Sequence, residues 1–235
     1  MRFSWLLAAL LLPLSVCAQT IIPAGTILPV RLDSSLNAAH LRAGDMVKAR
    51  VMQNIPGTSI RRGARVEGRV MSASAHHLRL QFTAVVSHGR RYPITTNLRA
   101  LASMMEVQQA FLPQGAPARG LPPEDWNTRQ IGGDEVYRGG GHVMRGNTVV
   151  GEPTPYGVRG HLIANGKCRA AVAGDSGLQA FWIFSTDACG VYGIPGLKLD
   201  HAGRTAPVGT IELTSKTAPL LVRGGSAWLL RVARS

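Results

Sequence analysis

Ser176 and His40 are the two residues whose types could together carry covalent chemistry. Ser176 lies in Gly174-Asp175-Ser176-Gly177, and His40 closes Ala38-Ala39-His40 far upstream. A serine hydroxyl becomes a nucleophile when an imidazole takes its proton, an acid orients that imidazole, and paired N–H groups receive the oxyanion. The acids nearest His40 in the chain are Asp33 and Asp45, and neither sits in a motif. Asp-Ser-Gly between two strands is also ordinary turn chemistry, and we read it so.

Other chemistry-bearing types are scattered. His76-His77 are adjacent, which on extended chain points them apart, and His142, His161 and His201 have no ligand spacing around them. Gly139-Gly140-Gly141 and Gly146 are followed by no Lys-Ser/Thr and stand in no strand-to-helix context, so they read as turns and not as a phosphate loop. No acid pair stands out as a glycosidase dyad. No cofactor or metal is expected.

Cysteine usage and the N-terminus set the compartment. Arg2, an apolar run over Trp5–Leu14 and Val16-Cys17-Ala18 form a secretory signal over residues 1–18, cut after Ala18. The run is too short to span a bilayer, and no later stretch would serve as a transmembrane anchor. A lipid-modified Cys17 is the rival, with Val16 standing where a small residue is wanted. Cleavage leaves Cys168 and Cys189, an even pair in an oxidising compartment, periplasmic or extracellular, and hence a candidate disulfide. Closing that loop would contribute about 3 kcal/mol in the chain-entropy picture.

The formal charge is +13, and it is uneven. Residues 20–100 carry 12 Lys and Arg against 3 Asp and Glu, whereas residues 101–235 carry 13 against 10. Arg61-Arg62 and Arg90-Arg91 are doublets at predicted strand ends. One reading is a basic face for an anionic partner such as lipopolysaccharide, a peptidoglycan-associated polymer or nucleic acid. The plainer one is a solvated strand face that keeps an exported protein soluble. Phe82 and Tyr92 fall on apolar faces, so base stacking and specific nucleic-acid recognition are not expected.

The elements that must position these residues are mainly β. Arg65, Glu67 and Arg69 alternate with Val66, Gly68 and Val70, the period of a strand with one wet face. Thr26–Asp33, Met46–Gln53, Leu78–Val86 and Arg91–Thr96 alternate likewise, and Pro29 suggests that the first lies at an edge or begins beside one. Ser87-His88-Gly89 reads as a hairpin turn. These strands predict a small antiparallel barrel or sandwich over residues 19–100. One short helix is expected near 97–111, from Leu98, Leu101, Met104 and Met105, with the Met pair filling core. Residues 101–157 then form the helix and an irregular Gly/Pro-rich connection. A β-rich region follows over 158–235, in which Phe181–Phe184 is apolar on both faces and should lie deep.

Three resemblances attach to these segments. Gly174–Gly177 with His40 resembles the nucleophile and base segments of chymotrypsin-like serine proteases, although Leu178 stands where that family continues with Gly and Pro. Gly25-Thr26-Ile27-Leu28, Gly44-Asp45, Ala49-Arg50-Val51, Arg62–Gly68 and Leu80-Gln81-Phe82 resemble the β-barrel domain of TrbI-like proteins over residues 22–98. That resemblance implies a barrel and a place beside conjugation or type IV secretion machines, but the tail and anchor of such scaffolds are not seen here. Residues 22–232 as a whole, through Leu98–Val107, Gln130–Gly141 and Ala180–Gly190, resemble an uncharacterised secreted bacterial family, which implies a compartment and no activity.

The expectation is an exported, non-catalytic envelope protein, an interaction or structural module for an envelope protein or anionic polymer. The alternatives are a serine hydrolase using Ser176 and His40, and an accessory of a secretion or conjugation apparatus. The exported protein should show no reactive thiol before reduction. Two thiols titrating in the native protein would contradict the Cys168–Cys189 pairing.

Overall fold

The structure is a computed structural model that describes residues 22–111, 128–133, 135–138, 141–154, 157–163 and 178–234. The predicted signal, Cys17, the 112–123 linker, Cys168 and the Gly174–Gly177 motif with Ser176 lie outside the described residues.

The chain is mainly β. Its first part holds β1 (Ile27–Leu32), β2 (Leu36–Asn37), β3 (Met46–Val51), β4 (Arg65–Ser74), β5 (His77–Ser87), β6 (Arg90–Pro93), β7 (Thr96–Ala102) and α1 (Met104–Ala110). The middle holds β8 (Thr128–Arg129), β9 (Glu135–Arg138), β10 (Val143–Arg145), β11 (Thr148–Thr154), β12 (Gly157–His161) and β13 (Leu178–Trp182). The last part holds β14 (Gly190–Tyr192), β15 (Leu197–Asp200), β16 (Ile211–Ser215), β17 (Leu221–Val222) and β18 (Ala227–Val232).

Ten strands form one sheet in the order β14-β7-β18-β1-β3-β4-β5-β16-β15, with β6 added beside β5. Its two ends approach each other, so the sheet is nearly closed into a barrel. The sheet draws strands from both the 19–100 and the 158–235 segments, and β18 is inserted between β1 and β7. Six further strands, β13-β12-β11-β10-β9-β8, form a second sheet; β12 and β13 fall at the β-rich region expected from 158 on, whereas β8 to β11 lie in the 101–157 stretch that sequence reads as irregular. Most of the six strands are short, and β11 and β12 also bear Gly or Pro, which weakens the period-two signal.

Alternation places the core. Val47, Ala49 and Val51 of β3 and Val66 and Val70 of β4 point inward, as their spacing predicts. Phe82 on β5 meets Trp228 on β18 edge to face, with ring centroids 5.9 Å apart across the barrel interior. A second core lies on the outside of β1, β7 and β18. There Ile27, Ala100, Ala102, Ala227 and Leu229 pack against Phe181–Phe184 and Val107. The apolar run 181–184 is buried between layers, as expected.

The one helix falls within the predicted 97–111 stretch, but it is shorter. Residues 96–102 are strand, buried on both faces, and Ser103 caps the helix by accepting a hydrogen bond from Glu106 N–H at 3.2 Å. The cause is a bulge. Leu98 opposes Leu230 and Ala100 opposes Leu229, which leaves Arg99 as the extra residue. Leu98 and Leu101 therefore share the inner face three residues apart, a spacing that imitates a helix. Met105 is exposed at 56%, so it does not fill core.

Pro29 does not mark an edge, because β1 is paired on both sides. Asp33 N–H bonds Lys48 C=O and Met52 N–H bonds Pro29 C=O, so the odd residues of β1 face β3. Pro29 lies just past the last register pair of β1 with β3, where its carbonyl is used and a donor is not required.

Truncating the ring at the centre of the barrel is expected to be costly. Phe82→Ala should lower unfolding free energy by about 3–5 kcal/mol, read from the urea midpoint at unchanged slope.

Candidate anion-binding face

Among the described residues the second layer leaves the outer side of β3, β4 and β5 bare, and the outward residues there are mostly charged or polar. Register brings four arginines into one row. Arg31 on β1 opposes Arg50 on β3, Arg50 opposes Arg65 on β4, Arg65 opposes Val86 on β5, and Val86 opposes Arg91 on β6. All four arginines are exposed. With strands about 4.8 Å apart, the row runs about 19 Å from end to end.

Two acids are set among them. Asp33 accepts from Arg50 Nε at 3.1 Å. Glu67 is the half-buried partner of both Arg65, at 3.1 Å, and Arg91. The hydrogen bond from Arg91, together with the positive charges of Arg91 and Arg65, holds the Glu67 carboxyl below its ordinary 4.5 against the opposing effect of burial. Arg31 makes no ion pair among the described residues. Cations therefore outnumber acids on this face.

The doublets singled out in the sequence flank the row. Arg61 and Arg62 belong to a tight turn in which Ala64 N–H bonds Arg61 C=O at 3.0 Å. Gly63 takes φ 87° at the third position, as a type II turn requires. Asn54 Oδ1 accepts from Arg62 N–H at 3.0 Å, and Gly63 N–H bonds Val51 C=O at 2.8 Å. Arg90 and Arg91 follow the His88-Gly89 hairpin turn. The loop before Arg61 is tied to that hairpin, since Ser59 Oγ lies 2.8 Å from Tyr92 Oη and Ser87 Oγ donates to Ser59 C=O at 3.2 Å. The two doublets thus share one end of the barrel. Alternation puts Arg31, Arg50 and Arg65 each on the polar face of its own strand. What joins them is register, which no single strand displays.

The other candidates stand apart. His40 is exposed in a turn after β2, and the acids nearest it in sequence are engaged elsewhere, Asp33 with Arg50 and Asp45 Oδ2 with Arg42 N–H at 2.8 Å. His77 Nε2 lies 2.7 Å from Glu212 Oε1 across β5 and β16, and that hydrogen bond holds the Glu212 carboxyl below its ordinary value. Among the described residues no three His, Cys, Asp or Glu are grouped to hold a metal. No helix of the described residues is long and apolar enough to cross a membrane. Cys189 is buried, and Tyr192 Oη bonds both its N–H and its C=O at 2.9 Å. Burial pushes the Tyr192 phenol up, so it keeps the proton it donates.

Comparison of the chain with protein families, with curated proteins and with solved structures finds no match.

Because the folded Glu67 carboxyl is held below its unfolded value, its contribution is present above the ordinary carboxylate range and is lost as pH falls through it. Urea melts from neutral to acid pH should show a smaller acid-side loss for Glu67→Gln than for the native chain. An identical pH profile in the two would show that Arg65 and Arg91 do not act on Glu67 in solution.

Proposed function

We propose that this chain is an exported, non-catalytic binding module of the cell envelope. It engages an anionic partner, a protein or a polymer, through the arginine-bearing outer face of its barrel. The row Arg31, Arg50, Arg65 and Arg91 carries the reading, because it opposes like charges directly across strands. Such opposition is destabilising in a sheet, and departures from local consistency gather at functional sites. Arginine suits the task, since its planar fork bonds carboxylate and phosphate oxygens in pairs. The 1–18 signal and the Cys168–Cys189 pairing belong to the same proposal. The pairing would close a loop on Cys189, which is buried.

Immobilised heparin supplies a linear polyanion for the test. The protein should be retained at low salt and released as salt rises. Arg50→Glu with Arg65→Glu should elute markedly earlier. Absence of retention, or an elution that ignores both substitutions, would remove the basis of this reading. A fluorophosphonate probe checks the non-catalytic part, with no labelling expected. Labelling that disappears in Ser176→Ala would instead establish the hydrolase.

A further inference from the structure

We infer that the mouth of the barrel at the start of β1 is a binding site for a small carboxylate with an apolar body. The site shares no residue with the arginine row, so neither reading depends on the other. A depression of about 540 Å³ lies there. That is an ordinary size for a small-molecule site, and the mouths of barrels are among the places where such sites form.

Two walls enclose the depression, and backbone fixes both. The first is made by neighbouring strand ends, with Gly25 before β1, Asn97 near the start of β7 and Val232 at the end of β18. Gly25 N–H bonds Val232 C=O at 2.8 Å, and Ala233 N–H bonds Thr95 C=O at 2.8 Å, which holds the chain beyond β18 up to the neighbour of Arg234. The second wall is the segment between β15 and β16. Those strands stand at the far end of the sheet order from β7, yet the segment reaches across to it. Gly203 N–H bonds Leu98 C=O at 3.2 Å, and the buried Asn97 donates from Nδ2 to Pro207 C=O at 2.7 Å. A cavity already shaped by such bonds lowers the ordering cost of binding.

The lining has two characters. Ala24, Ala206, Val208, Val232 and Ala233 give it apolar surface. Val208 is 54% exposed, so the pinned segment holds an isopropyl group in water instead of burying it. Arg204 and Arg234 also line the depression, are exposed, and make no ion pair among the described residues. Arg231 lines it too but has a partner of its own, and the charge argument rests on the other two. No acid among the described residues lines the depression. The cations call for an anion, and a guanidinium fork bonds both oxygens of a carboxylate at once. The apolar wall calls for a body that gains by leaving water. Inorganic phosphate would leave that wall wet, and an alcohol would leave the guanidinium groups without an anion.

Calorimetric titration of the purified full chain with octanoate, below its micelle-forming concentration, tests the site. Saturable one-to-one binding is expected. Acetate, which lacks the body, and octanol, which lacks the charge, should each bind at least about tenfold more weakly. Arg204→Gln and Arg234→Gln should each weaken octanoate binding by about tenfold. Val208→Asp should weaken it by at least about as much, since it sets a like charge in the apolar wall. All three positions are exposed, so near-ultraviolet circular dichroism should show an unchanged fold. Arg50→Glu with Arg65→Glu removes charge from the arginine row and should leave octanoate binding as it was. Lack of saturable binding, acetate or octanol bound as tightly as octanoate, or an equal loss in the Arg50→Glu, Arg65→Glu variant overturns the site.

Discussion

The insertion of β18 between β1 and β7 is the constraint on which the architecture depends. Without it, both of those strands would present a row of unpaired backbone groups beside an apolar interior. Ala227–Val232 satisfies both edges at once. It also brings Trp228 inward to meet Phe82 and turns Ala227 and Leu229 outward. One strand thus joins the ends of the chain, plugs the barrel and founds the second core.

That second core decides which part of the barrel stays bare. Phe181–Phe184 and α1 cover the outer faces of β1, β7 and β18, where the outward residues are Ile, Ala and Leu. Over β3, β4 and β5 the outward residues are mostly Lys, Arg, Glu and Gln, with Met46 and Met71 the large apolar exceptions, so little apolar surface is offered for a layer to cover. Arg31 lies on the same strand as Ile27 but beyond the covered stretch. The basic face is the remainder of the barrel surface after burial has taken its share.

The electrostatics of that face are unbalanced in an ordered way. Glu67 serves two arginines and Asp33 one. Direct opposition of Arg31, Arg50 and Arg65 works against folding, and screening by water and salt keeps the penalty small at exposed positions. A bound anion would turn the same geometry into attraction. The fold and the proposed binding surface are thus coupled through three side chains that contribute little to the core.

By itself, the sequence determined what depends on near neighbours. Alternation in β3, β4 and β5 assigned each residue to the inner or outer face, and His88-Gly89 marked its hairpin. The same local pattern announced the depth of residues 181–184 and a short helix inside 97–111. The tertiary structure decided what depends on distant partners. The Arg99 bulge is defined only against Leu229 and Leu230, so its i, i+3 spacing passed for a helical signal. Pro29 carries an edge signal, yet β18 from the far end of the chain pairs with its strand. The doublets Arg61-Arg62 and Arg90-Arg91 were legible because they are contiguous, whereas Arg31, Arg50 and Arg65 become one row only through register. Register is set by hydrogen-bond ladders between strands far apart in the chain, and a pattern of period two records a residue's face without recording its level.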